Sequence, residues 1–270
     1  ADLFLFIGCD LKKEAPILNA RIRKRYLSSE KNLKIGYIGL GANYNYNVTN
    51  LGESPAIIED ILSGKNKFLS HLKSSKKPMF ILGQGALCRN DSEDIYIASK
   101  KLYENANFEK EWNGFNVLQT YSGRTGALDI NFVKSHNNLK NSNILDRANN
   151  KEFDLLYLFS ADEINLEKIP KETTVVYHGH HGDYSANKAD IIVPSPCFTE
   201  TEGIYINTEG RPQISAQVKT PLPNVNEAWK FFLECSRFNN LNLDFQNFEE
   251  LRALLFNTYP NLSKIDLVIK

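Results

Sequence analysis

The chain has little sulfur: among 270 residues there are one methionine and four cysteines. Cys9, Cys88, Cys197 and Cys235 lie far apart with no CxxC spacing, which excludes an iron-sulfur or zinc motif built from paired cysteines and points to free thiols in a reducing compartment. Net charge is also missing. Lysine plus arginine and aspartate plus glutamate stand at 32 each, so no overall field draws the chain to nucleic acid, anionic lipid or acidic substrate. No apolar run approaches the roughly 18 to 20 residues of a bilayer span. There is no Walker motif, GxSxG elbow or HExxH pair to announce a chemistry.

An apolar content of 42% is present, ample for the core of one large or two small domains. Short runs bounded by glycine, proline or polar turns recur at 3–7, 34–38, 79–82, 153–159, 173–177 and 190–193. Their near-continuous hydrophobicity is that of strands covered on both faces, as in a parallel sheet. Helical patterns alternate with them. In EAPILNARIRKRYL, Pro16 suits the first turn and Ile17, Leu18 and Ile22 mark a buried face. In SPAIIEDILSG, Ser54 reads as the N-cap, Pro55 as the first helical residue and Gly64 as the stop. The expected class is therefore α/β, with Rossmann-like parallel or mixed sheets and flanking helices.

The expected organisation is a first α/β lobe over 1–133, an asparagine-rich loop or boundary over 134–152, a second lobe with a β-hairpin over 153–225, and terminal helices over 226–270. GIYINTEGRPQ alternates as a hairpin, while NEAWKFFLECSRF and NFEELRALLFNTY read as the two helices.

HGHHGD, residues 178–183, holds three of the five histidines. His178, His180, His181 and Asp183 offer donors, yet His71 and His136 stand alone and no closed set of three or four zinc ligands forms. The favoured reading is that these histidines close the carboxyl end of a strand, where the loops of open sheets carry contacts. LGQG, residues 82–85, lacks the glycine at Cys88 that a dinucleotide fingerprint needs, so a tight strand-to-helix turn is expected. Asp162 and Glu163, and Glu200 and Glu202, read as solvated loop carboxylates. Arg211 either pairs with a buried carboxylate or holds a phosphate.

A longer pattern joins these pieces. KEAPILNARIRK, LGESPAIIEDILSG, KPMFILGQGAL, WNGFNVLQT, GALDINF, YHGHHGDYSANKADIIVP and TETEGIYINTEGRPQ, in this order, resemble the large iron-sulfur subunit of respiratory complex I, NADH:ubiquinone oxidoreductase. The resemblance covers nearly the whole chain and lies in the subunit's carboxyl-terminal part, which is similar to molybdopterin-dependent oxidoreductases. It implies a partial molybdopterin oxidoreductase-like domain with no cofactor of its own and no catalytic residue. The iron-sulfur clusters are then expected in an amino-terminal partner domain or chain, and His178, His180, His181, Asp183 and Arg211 in a vestigial cleft.

The resemblance also implies other peripheral-arm subunits as partners, no nucleic acid, and the matrix side of the mitochondrial inner membrane or the cytoplasmic face of a bacterial one. The first residues, ADLFLFIG, read as a strand without a preceding methionine, so an upstream part is expected on a second polypeptide, packing against 3–7. The alternative is an active molybdopterin-dependent oxidoreductase fragment using its glycine turns and Arg211 for cofactor phosphates.

Overall fold

The computed structural model describes residues 1–29, 32–41, 43–132, 144–162, 164–182 and 184–267. They form two compact units, Ala1–Arg124 and Thr125–Lys270. Most of the asparagine-rich segment, with His136, lies outside the described residues, as do Glu163 and Asp183. The last part of that segment is helical rather than looped.

In the first unit the chain runs β1 (Leu3–Ile7), α1 (Leu11–Glu14), α2 (Pro16–Ser28), β2 (Lys34–Ile38), β3 (Thr49–Gly52), α3 (Ala56–Leu62), α4 (Phe68–Ser74), β4 (Pro78–Leu82), α5 (Gln84–Leu87), α6 (Ser92–Glu104) and β5 (Phe115–Val117). The sheet is wholly parallel with order β3-β2-β1-β4-β5. Successive strand side chains point to opposite faces, so the LFLFI run of β1 feeds two cores at once. Leu3, Leu5 and Ile7 join Ile58, Phe80 and Leu102 on one side, while Phe4 and Phe6 join Ile22, Tyr26 and Tyr37 on the other. Each such side chain contributes about 1.5–3 kcal/mol by leaving water.

This corrects the expectation that 3–7 packs against another polypeptide. β1 is the central strand, hydrogen-bonded on both sides and buried on both faces.

The helix starts follow their signals with two adjustments. Ser54 Oγ accepts from the Ala56 amide at 3.3 Å, but regular helix begins at Ala56 rather than Pro55. Gly64 stops that helix at a φ of +81°. In α2, Ile22 and Tyr26 are buried and Leu18 is packed against them, whereas Ile17 is 77% exposed. The four-residue spacing of 18, 22 and 26 sets the buried stripe, and Ile17 falls off it by one position.

At β5, Trp112 Nε1 donates to the Pro78 carbonyl at 2.6 Å, and a Cβ on Gly114 would lie 2.1 Å from that same oxygen. Only glycine lets the chain pass there.

The second unit contains α7 (Arg124–Asp129, which begins at the last residue of the first), α8 (Ile144–Asn149), β6 (Leu155–Phe159), β7 (Thr174–Gly179), α9 (Tyr184–Lys188), β8 (Ile191–Pro194), β9 (Gly203–Ile206), β10 (Pro212–Ser215), α10 (Ala228–Phe238), α11 (Phe248–Thr258) and a final 3-10 turn, Pro260–Ser263. Strands β6, β7 and β8 form a parallel sheet in that order, and β9 pairs antiparallel with β10 as the expected hairpin. Leu156, Leu158, Val175 and Tyr177 pack with Leu166 and Ala186 on one face. On the other, Tyr157, Phe159 and His178 meet Phe231 and Phe232 of α10. Among the described residues no helix is long and apolar enough to cross a membrane.

Candidate functional site

Parallel sheets collect loops at the carboxyl ends of their strands, and where neighbouring connections leave in opposite directions a crevice opens. In the first unit β1 connects to β2 on one side, and the chain crosses from β3 to β4 on the other. A crevice of about 350 Å³ lies at the ends of these strands, lined by Gly8, Cys9 and Asp10 after β1, Gly39 to Gly41 after β2, and Gly85, Ala86 and Arg89 after β4. Lys13, Glu14 and Glu53 complete its charged wall.

The donors of the turn that follows β1 are already committed to the protein. Asp10 caps α1 by accepting from the Lys12 amide at 3.1 Å, and the Asp10 amide donates to Glu14 Oε1 at 2.5 Å. The Leu11 amide donates to the Tyr44 hydroxyl, and those of Lys13 and Glu14 donate to the Asp10 carbonyl. Every amide from Asp10 to Glu14 is therefore satisfied. The cations are engaged as well: Lys13 lies 3.6 Å from Asp10, and Arg89 makes a bidentate contact with Asp91 at 2.7 and 2.8 Å.

The glycines serve close packing. A Cβ on Gly83 would sit 2.3 Å from Cys9 Cβ, one on Gly85 2.7 Å from the Gly8 carbonyl, and one on Gly8 2.5 Å from the Ala86 amide. LGQG is thus the tight turn that was expected. These residues fit a phosphate-bearing cofactor poorly, because Asp10, Glu14 and Glu53 put negative charge in the lining and its cations Lys13 and Arg89 are each paired with a carboxylate. Cys9, at the crevice floor, is buried with its thiol pushed up to about 12 by burial and by the Glu14 charge. It is held as an inert thiol.

In the second unit the structure separates the three histidines. His178 is fully buried at the end of β7, with Nδ1 2.6 Å from the Tyr157 hydroxyl and Nε2 without a partner. Burial lowers its pKa. His180 and His181 lie just past the strand, exposed, with their rings 4.5 Å apart. Among the described residues no group of three or more His, Cys, Asp or Glu side chains could hold a metal ion.

Arg211 immediately precedes the return strand of the hairpin. Its amide donates to Asn207 Oδ1 at 3.0 Å, and its buried Nε has no hydrogen-bond partner. The ion pair of this region belongs instead to Glu202 and Arg252, the latter also lying 4.7 Å over the Phe248 ring. The carboxylates read as solvated have structural partners: Asp162 accepts from the Tyr177 hydroxyl, and Glu200 from the Cys197 amide at 3.1 Å.

Sequence reasoning missed the crevice lining of Asp10, Lys13, Glu14 and Arg89, and the Tyr157–His178 pair. Glycine directly after β1, β2 and β4 was the available signal for the first. Period-two alternation along β6 and β7 was the signal for the second.

Comparison with known proteins follows the same outline. A sequence profile for the family described as molybdopterin oxidoreductase matches residues 1–237. The chain is 34% identical over 267 residues to the potato (Solanum tuberosum) protein named NADH dehydrogenase [ubiquinone] iron-sulfur protein 1, mitochondrial, covering 98% of this chain and 35% of that one. It is 38% identical over 273 residues to the NADH-ubiquinone oxidoreductase 78 kDa subunit, mitochondrial, of Candida albicans, covering 99% and 35%. With an NADH-quinone oxidoreductase subunit of the bacterium Rickettsia bellii it shares 36% identity over 270 residues, covering 100% and 38%. The chain spans little more than a third of the length of these curated relatives.

Proposed function

The chain belongs to the molybdopterin oxidoreductase family, and from that premise we propose that it is a structural, non-catalytic segment of the large iron-sulfur subunit of a respiratory NADH:ubiquinone oxidoreductase. In this reading it braces the peripheral arm through which electrons pass from NADH towards ubiquinone. The supporting relatives carry complex I subunit names and match this chain from end to end.

The observation that carries the non-catalytic half of the reading is the self-satisfied crevice. Asp10 and Glu14 accept from the Lys12 and Asp10 amides after β1, and Asp91 holds the Arg89 guanidinium. Electron transfer also needs clusters with thiolate ligands, and the scattered cysteines supply no such set. We therefore assign the clusters to the amino-terminal part of the subunit, which we propose is a separate polypeptide. Other peripheral-arm subunits are the remaining partners. The location in this reading is the matrix side of the mitochondrial inner membrane, with the cytoplasmic face of a bacterial membrane as the alternative.

The test is native electrophoresis of membranes carrying an affinity tag on this chain, with mass spectrometry of the band. The expected result is co-migration with NADH dehydrogenase activity and with iron-sulfur subunits, the amino-terminal part giving its own intact mass. A tagged chain that migrates alone contradicts the assembly reading, and one continuous mass contradicts the separate polypeptide.

A further inference from the structure

Among the described residues His178 is the only buried histidine, with 0% exposure. It sits between β6, β7 and α10. Its ring centroid lies 5.1 Å from that of Phe159, 5.1 Å from Phe231 and 6.3 Å from Phe232, so the imidazole forms part of the seam on which the helix rests. Tyr157, the residue bonded to Nδ1, also reaches Phe231 and Phe232.

The titratable groups facing this seam are few. From β6 there is Tyr157, whose hydroxyl is pushed up to about 12, first by burial and then by the Cys235 charge, so it is neutral at physiological pH. From α10 there is Cys235 itself. The charged side chains of α10 are paired at the exposed surface, Lys230 with Glu227 and Arg237 with Glu234. β8 brings uncharged Val193 beside His178 in register. No carboxylate among the described residues is bonded to the ring, so nothing there compensates an imidazolium.

We propose that His178 makes the seating of α10 on the β6-β7-β8 sheet pH-dependent, the neutral ring holding the helix down and the protonated ring releasing it. A protonated ring would place a charge and an unpaired Nε2–H among phenylalanines, whereas release of the helix gives both to water. The sign follows from burial, which lowers the folded-state pKa. The stabilisation is fully present above the ordinary imidazole pKa and is lost as pH falls below it. The device is independent of any assembly partner.

The test is hydrogen exchange by mass spectrometry on the full chain at about pH 7.5 and about pH 5, with rates corrected for intrinsic exchange, spanning the imidazole transition. Peptides of α10 should lose at least about tenfold protection at the lower pH, a factor worth 1.4 kcal/mol, while peptides of β1 hold theirs. The His178→Phe variant should keep α10 protected at both. Equal α10 protection at the two pH values in the unaltered chain, or the same acid loss in H178F, overturns the proposal. Should H178F not fold, nitrogen NMR of the histidine-labelled unaltered chain decides. His178 should stay neutral until α10 opens and titrate with it, and titration with the helix still closed refutes the switch.

Discussion

The two units use the same parallel strands and reach different degrees of closure. In the first, five strands lie between two cores and β1 has no free edge or face. In the second, three strands have one packed core and a seam under α10, and most of the exposed large apolar side chains fall here. Ile191 and Ile192, adjacent on β8, are 51% and 57% exposed, so both faces of that edge strand meet solvent. A parallel sheet is normally covered on both sides. The contrast teaches that a run of apolar residues makes a strand in either unit, while the number of neighbouring strands and helices decides whether that strand is buried. In the proposed assembly, the second unit's uncovered surface is the part suited to neighbours.

The largest test of this contrast is truncation. Phe6→Ala should cost about 3–5 kcal/mol in urea unfolding, because its site is enclosed by two other strands and α2. Phe232→Ala, at a side chain 42% exposed, should cost about half as much. Equal costs would break the comparison.

Thiol chemistry sharpens it next. Cys197 is held below the usual thiol range, first by the Thr199 hydroxyl 2.9 Å away and then by the Thr199 amide, whereas Cys9 is buried with a raised pKa. Alkylation at neutral pH, followed by peptide mass spectrometry, should label Cys197 at least about a hundredfold faster than Cys9. Comparable rates would show that the first unit opens often enough to expose Cys9 as freely as Cys197.

A smaller effect separates the strand-end loops. Gly8→Ala forces a side chain into a φ of +58° and against the Ala86 amide, and should lower stability by about 2 kcal/mol. Gly182→Ala meets nothing within 4 Å and should stay within about 0.5 kcal/mol of the parent, both read from thermal melts. The smallest is Arg252→Ala. Its pair with Glu202 is part-exposed, so the loss should be at or below about 1 kcal/mol and should shrink in salt.

Much of the architecture was legible because it depends on local pattern. The runs at 3–7 and 34–38 are strands with those bounds, and the hairpin and both terminal helices stand where alternation and amphipathic spacing put them. What escaped had weak local signals. β3, TNLG, is polar and lies at a sheet edge, and β5 has three residues, so neither carries the apolar density of a covered strand. Asparagine content hid α8, whose helix ends in Ala148 and Asn149.

The site was less legible, for a different reason. HGHHGD shows three histidines as equals, and only the end of β7 divides them, burying His178 and leaving His180 and His181 in water. The crevice draws on the ends of three strands separated by many residues, a relation that exists only once the strand order is known.

The most direct measurement is pterin fluorescence and molybdenum content of the purified native assembly after denaturation, normalised to this chain. The account predicts neither in stoichiometric amount, since Asp10 and Glu14 take up the backbone donors after β1 and Asp91 holds the Arg89 guanidinium. One pterin per chain, lost when Arg89 or Lys13 is changed to alanine, would contradict it.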